Sequence, residues 1–257
     1  MANVVVARHL AKRFYLRRNP TSSLKEWCLG LFHERNRTEF QEFWALRDVS
    51  VSVAAGETLG LVGRNGSGKS TLLKLIAGIH RPTEGQILVS RGARIGSMIE
   101  LGVGFHSELT GRDNVYLNAS IYGLRRAEVD RLYDAIVDYA EIGSFIDEPI
   151  KNYSSGMAMR LGFAIVAHLD PDILLLDEIF AVGDADFQQK CTKTMREFVA
   201  RGKTILFVSH SAEAIRQMCS RVCVLNHGRV VFDGDVAQGL ATYNAIVAAE
   251  HAPAGSR

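Results

Sequence analysis

Apolar residues recur at intervals of two in some stretches of this chain and of three to four in others, and each switch marks an element. Val4–Val6 is a short apolar run. Val49, Val51 and Val53 alternate with Ser50 and Ser52, as a half-buried strand does. Thr58–Val62 is short, apolar and preceded by the turn-like Ala55, Gly56 and Glu57, so it reads as a buried strand. Thr71–Ala77 carries Leu72, Leu73, Leu75 and Ile76 at helical spacing, and Gln86–Val89 returns to strand character. Helices are expected over Asn114–Tyr122, Arg126–Ala140 and Gly156–His168, in a block spanning about residues 107–168. Alternation then resumes with strand Ile173–Leu176, helix Asp186–Ala200, strand Thr204–Val208 and helix Ala212–Met218. A hairpin, Val222–Leu225 and Val230–Phe232, turns at Asn226–Gly228. This is the order of an α/β protein interrupted by a helical subdomain.

Residues 19–43 fit neither period and read as an insertion. Within it Leu24, Trp27, Cys28, Leu31 and Phe32 fall in an arc of about 140°, the width of a buried helical stripe. Arg13, Arg17, Arg18, Lys25, Arg35 and Arg37 surround that stripe, which suits docking near anionic headgroups or a membrane subunit as well as onto the core. Glu250–Arg257 is small and polar, a flexible tail to a single domain over 1–249.

The 257 residues suffice for one large α/β domain, and a net charge of +2 calls for no nucleic acid. Four cysteines (Cys28, Cys191, Cys219, Cys223) form no CxxC pair, as in a reduced compartment. Apolar runs stay short of a membrane span, and the N-terminus lacks a leader's apolar core.

The chemistry enters between the strand at Thr58–Val62 and the helix that follows. Gly63, Arg64, Asn65, Gly66, Ser67, Gly68, Lys69, Ser70 and Thr71 match the phosphate-loop spacing, Gly-x₄-Gly-Lys-Ser, in both required contexts. Missing side chains let the amides of Gly66, Ser67, Gly68 and Lys69 converge on phosphate oxygens at the positive end of a helix. Lys69 is expected to reach the β- and γ-phosphates and the Ser70 hydroxyl to bind Mg²⁺, so the ligands are ATP and Mg²⁺. A second strand ends in Asp177 and Glu178. Parallel sheets bind ligands at strand carboxyl ends, which sets Asp177 to hold Mg²⁺ and Glu178 to take a proton from the attacking water.

Tyr153, Ser154, Ser155, Gly156 and Met157 open another apolar helix whose N-terminus suits an anion. One ATP does not need two phosphate loops, so this segment is expected to serve the ATP of a second copy. With that, the set resembles an ATP-binding cassette (ABC) transporter ATPase. The resemblance implies a P-loop NTPase core with an antiparallel β subdomain and a helical subdomain. The family signature reads Leu-Ser-Gly-Gly-Gln; Ser154 and Gly156 match it, while Tyr153, Ser155 and Met157 depart. The resemblance further implies that His210, after the strand Thr204–Val208, contacts the γ-phosphate. Ala181, Val182, Gly183 and Asp184 correspond to the D-loop that links two active sites, Phe14 or its neighbour Tyr15 to the adenine-stacking aromatic, and Glu100 to the glutamine that senses Mg²⁺ and the membrane partner.

The departures resemble one branch. Glu100–His106, Leu109–Asn114, Tyr153–Met157 and Asp177–Asp184 together are similar to the ATPase subunits of bacterial exporters of O-antigen, capsule, teichoic acid and related lipid-linked glycans. That resemblance covers roughly residues 3 to 245. It implies a head-to-tail homodimer, bound to an integral membrane permease at the cytoplasmic face of the bacterial cell membrane. Some such ATPases carry a further carbohydrate-binding domain; without one, the permease is expected to make most contacts with the glycan. Importer ATPases, which favour glutamine at position 100, and non-transport ABC proteins, which carry paired cassettes or long coiled coils, are the competing readings.

Overall fold

A computed structural model of the chain describes residues 2–18, 39–99, 104–177 and 184–251. The stripe from Leu24 to Phe32, Glu100, Glu178, Ala181, Val182, Gly183 and the end of the tail therefore lie outside the described residues. A long antiparallel ribbon opens the fold, β1 (Asn3–Arg18) against β2 (Glu39–Ala54). β4 (Glu84–Val89) adds to the other side of β1, giving a three-stranded sheet. The main sheet comprises β3 (Thr58–Val62), β5 (Ile95–Met98), β6 (Ile173–Asp177), β7 (Thr204–Val208), β8 (Arg221–Asn226) and β9 (Arg229–Gly234). Its order is β5-β6-β7-β3-β8-β9, parallel except for β9 at the edge.

β3 and β7 are buried at every position, as parallel strands covered on both faces must be. On one face α1 (Lys69–Ile76) inserts Leu72, Leu73 and Ile76 between this sheet and Val5, Leu10, Leu46 and Val49 of the ribbon. The opposite face is covered by α5 (Ala185–Ala200), α6 (Ala212–Met218) and α7 (Val236–His251), through Phe187, Phe198, Ile215 and Leu240. α2 (Gly111–Ile121), α3 (Arg126–Ala140) and α4 (Ser155–His168) enclose a third core around Val115, Ile136 and Leu161. The helical block expected from periodicity is thus a subdomain with its own interior.

Several elements differ from the sequence expectation: β1 runs over Asn3–Arg18 where only Val4–Val6 was expected as strand, and α7 (Val236–His251) was not expected. β2 begins at Glu39, so residues 39–43, expected within the insertion, are strand, with Phe43 opposite Phe14 and Glu42 opposite Tyr15. That end of the ribbon is exposed on both faces (Tyr15, Leu16, Phe40 and Phe43 all face solvent), so no apolar alternation marks it. α7 continues to His251, so Glu250 and His251 belong to a helix rather than to the tail. β5 was not expected at all: it has four residues, and its Gly96 packs against Pro171 and Val166, with only 3.0 Å between an added Cβ and Pro171.

Candidate active site

The phosphate loop leaves the carboxyl end of β3, and its three glycines have different reasons to be glycine. A Cβ on Gly63 would stand 2.3 Å from the Leu225 carbonyl oxygen, and one on Gly68 (φ +109°) would stand 2.5 Å from Leu46 Cδ2. At Gly66 (φ +78°) nothing lies within 4 Å of that position, so the loop backbone there is open to a ligand. α1 starts with no side-chain cap, and Leu72 N–H makes a bond to the Gly68 carbonyl at 2.9 Å. The first-turn amides of Lys69, Ser70 and Thr71 precede that bond and head the helix dipole, which is the construction of an anion site.

Lys69 is 5% exposed, and its ammonium donates to the carbonyls of Gly63 (2.7 Å) and Arg64 (3.1 Å). Those carbonyls keep a buried cation solvated beside the loop. The Ser67 amide donates to the Arg64 carbonyl at 3.1 Å, closing a turn within the loop. The Ser67 hydroxyl is buried and has no hydrogen-bond partner.

Sheet order brings the remaining groups to the same edge. β7 lies between β6 and β3, with Val208 in register with both Asp177 and Leu61. Asp177, the phosphate loop and Ser209–His210 therefore leave neighbouring strands in one direction. His210 lines a cavity of about 330 Å³ together with Arg64, Asn65, Gly66, Ser67 and Tyr243. The β8–β9 turn completes its wall: His227 (φ 46°) and Gly228 (φ 75°) form a two-residue turn of the primed kind. Gly228 donates to the Ser67 carbonyl (3.0 Å) and accepts from Arg47 N–H (2.8 Å), locking the turn onto the loop. Tyr243 and His227 were not recognisable from sequence, because only the docking of a distant turn and α7 brings them here. Ser70 and Asp177 offer the hard oxygens that Mg²⁺ prefers.

The signature segment divides into two groups. Ser154 caps α4, its hydroxyl accepting from Met157 N–H at 3.2 Å and keeping its own proton to donate. Ser154 and Ser155 are exposed and Gly156 is half-buried. Tyr153 and Met157, expected at the nucleotide, pack against the helical core instead. The Tyr153 hydroxyl donates to the Phe145 carbonyl at 2.6 Å, and burial pushes its pKa up to about 12. Tyr153 is thus the anchor of the segment, while Ser154 and Ser155 stand exposed at the start of α4. None of the five lines the cavity at the phosphate loop.

Phe14 lies edge-on to His80 (5.6 Å between centroids) with the Lys12 ammonium 5.1 Å over its ring, while exposed Tyr15 carries the Arg13 guanidinium at 5.0 Å. Consecutive strand residues point to opposite faces, so only one of the two rings can meet a given base. Asn114, buried, donates to the carbonyls of His106 (3.1 Å), Leu109 (3.1 Å) and Thr110 (2.8 Å) and accepts from His106 N–H (2.7 Å). It fixes the loop into α2, the reason an asparagine stands at this point in the Leu109–Asn114 motif.

The ABC transporter family model matches residues 46–181. The chain is 45% identical over 233 residues to the O-antigen export system ATP-binding protein RfbB of Klebsiella pneumoniae, covering 90% of this chain and 93% of that one. It is 41% identical over 246 residues to the teichoic acids export ATP-binding protein TagH of Listeria innocua, covering 95% of this chain and 71% of the relative. Among solved structures, a dimeric ATP-binding cassette bound to ADP and Pi superposes with a TM-score of 0.70 at 20% identity, over 90% of this chain and 98% of that one. The ATP-binding subunit of an ABC transporter superposes with a TM-score of 0.72 at 23% identity, over 94% and 93%. These likenesses match the P-loop core with its β and helical subdomains. With a phosphate loop, an acidic strand end and a histidine on one sheet edge, the chain belongs to the ABC transporter family as an ATP-binding subunit that hydrolyses ATP.

Proposed function

We propose that this ATPase drives the export of a lipid-linked glycan through a separate membrane subunit. The observation that carries the reading is the similarity, along nine-tenths of the chain, to proteins named for O-antigen export. No helix among the described residues is long and apolar enough to cross a membrane, so the pathway is assigned to a partner. The ATPase then works from the cytoplasmic face of the bacterial membrane.

Two copies pair head to tail, each ATP held between one phosphate loop and the other copy's Ser154–Gly156. The absence of signature residues from the loop's own cavity supports this arrangement. Lys69 and the first-turn amides of α1 bind the phosphates. Ser70, Asp177 and Glu100 would hold Mg²⁺, which would supply positive charge to offset that of the phosphates. Glu178 accepts the proton of the attacking water, His210 contacts the γ-phosphate, Phe14 or Tyr15 stacks on adenine, and Ala181–Asp184 links the two sites.

Co-purification with the membrane partner, followed by mass spectrometry of bound lipid, tests the reading. It expects a polyprenyl- or glycerolipid-linked glycan. A partner that instead retains a small water-soluble solute would contradict it.

A further inference from the structure

The cavity beside the phosphate loop draws its lining from distant parts of the chain. Beyond the loop residues Arg64–Ser67 come His210, Asn226 and His227 of the β8–β9 turn, and Tyr243 of α7. Lys69, Ser70 and Thr71, which head α1, are not among the lining residues. The cavity is therefore room beside the helix end that cradles phosphate, rather than that end itself.

Its chemistry is one-sided. A guanidinium, two imidazoles, two carboxamides and a phenol line it, and among the described residues no carboxylate does. Each of these groups can donate a hydrogen bond, and the guanidinium adds a permanent positive charge, so the set complements an oxyanion. About 330 Å³ lies at the low end for small-ligand sites, enough for one small ion with bound water. Ser67 supplies an independent sign. It is only 4% exposed, and its hydroxyl has no hydrogen-bond partner among the described residues. Buried hydroxyls are nearly always satisfied, so this one calls for a ligand or a water.

The turn is built to hold its place. His227 adopts the left-handed conformation (φ 46°) at a turn position that asparagine or glycine takes more easily, so the imidazole stands there against some backbone strain. A Cβ on Gly228 would lie 2.7 Å from the Ala45 carbonyl oxygen, and Gly228 N–H is bonded to the Ser67 carbonyl, so turn and loop keep a fixed spacing. The Tyr243 ring packs on the core of the opposite sheet face, which anchors its hydroxyl.

We infer that this cavity is a subsite for inorganic phosphate, the product of hydrolysis, with His227 and Tyr243 among its ligands beside Arg64. The inference rests on the phosphate loop being the nucleotide site, as proposed above. A phosphate group has two sources here, the γ-phosphate of bound ATP and the free ion. The γ-phosphate is bonded to a β-phosphate at Lys69, which lies outside the cavity lining, whereas the free ion is not so tied. It can move off the loop while ADP stays bound.

The test uses the full-length chain saturated with Mg²⁺ and ADP. Inorganic phosphate is titrated in calorimetrically at constant ionic strength, with chloride as the control salt. Wild type should bind phosphate saturably. His227→Gly suits the backbone of the turn and removes the imidazole, while Tyr243→Phe keeps the ring and removes the hydroxyl. Each should weaken phosphate binding by about ten-fold or more, the worth of a hydrogen bond to a charged group, with ADP affinity and thermal unfolding unchanged. A non-hydrolysable ATP analogue forms the second arm, and its affinity should hold in both variants. If His227→Gly instead weakens the analogue and spares free phosphate, His227 reads the γ-phosphate and the product site is overturned. Phosphate that fails to bind wild type, or that binds both variants as tightly, overturns it as well. Lys69→Ala separates the two readings. If it keeps ADP, the phosphate loop is not the nucleotide site and both fail; if it loses ADP while the other variants leave phosphate binding unaltered, only the subsite fails.

Discussion

Gly111 opens α2 beneath Tyr153, and replacing it with alanine is a direct probe of how the signature segment is anchored. A Cβ at residue 111 would stand 2.1 Å from Tyr153 Oη, 3.1 Å from its Cζ and 3.0 Å from the Ile146 carbonyl oxygen. The hydroxyl would have to retreat by more than ~1 Å to reach ordinary contact, which breaks its 2.6 Å bond to the Phe145 carbonyl. Leaving that carbonyl unpaired costs about 1–3 kcal/mol. Overpacking adds about 1–3 kcal/mol, and better helix propensity returns at most ~1 kcal/mol. The net loss is about 1–5 kcal/mol, or about 2–20 °C in Tm for a chain of this size. Differential scanning calorimetry of Gly111→Ala and of Gly111→Ala with Tyr153→Phe makes the comparison. The double variant, lacking the clashing oxygen, should melt above the single one. On the proposed two-copy arrangement, ATP binding by the isolated Gly111→Ala subunit should persist while ATPase of the assembled complex falls. A Tm within about 1 °C of wild type, or a double variant less stable than Gly111→Ala, would refute the reasoning.

Three further outcomes are expected. Glu178→Gln should lower ATPase by about 10²–10⁴-fold with ATP still bound, measured by turnover beside nucleotide affinity. Lys69→Ala removes the ammonium now held by the Gly63 and Arg64 carbonyls, so equilibrium titration should find ATP binding lost rather than turnover alone. Burial pushes the thiols of Cys191, Cys219 and Cys223 up to about 12, so at pH 8 they stay protonated in the folded chain. Iodoacetamide should label those three only on unfolding, when their pKa returns to the ordinary range, and rapid labelling of native Cys223 would contradict its burial.

Local signals carried most of the fold. Thr58–Val62, Arg126–Ala140 and Thr204–Val208 were legible because a buried strand or an amphipathic helix writes its period into adjacent residues. α7 was not, because Gly239 and several alanines blur its faces. That glycine is required by packing, since a Cβ there would lie 2.0 Å from Val222 Cγ1. The phosphate loop was legible for a chemical reason: few spacings let a backbone approach phosphate. What stayed hidden depends on distant contacts. Nothing near Tyr153 tells that its hydroxyl belongs to Phe145, and nothing near Arg160 tells that Asp184 and Glu141 meet it. The Asn226–Gly228 turn was legible as a turn, yet its docking on Ser67 emerges only from the order of β3, β8 and β9.

The central claim is that ATP hydrolysis by this chain moves a lipid-linked glycan across a membrane. Inverted vesicles holding this ATPase and its membrane partner, loaded externally with radiolabelled lipid-linked glycan, test it most directly. Lumenal, enzyme-protected glycan should accumulate with ATP and wild-type chain, and fall to the no-ATP background with Glu178→Gln. Accumulation that is equal in the two, or that proceeds without ATP, would contradict the account.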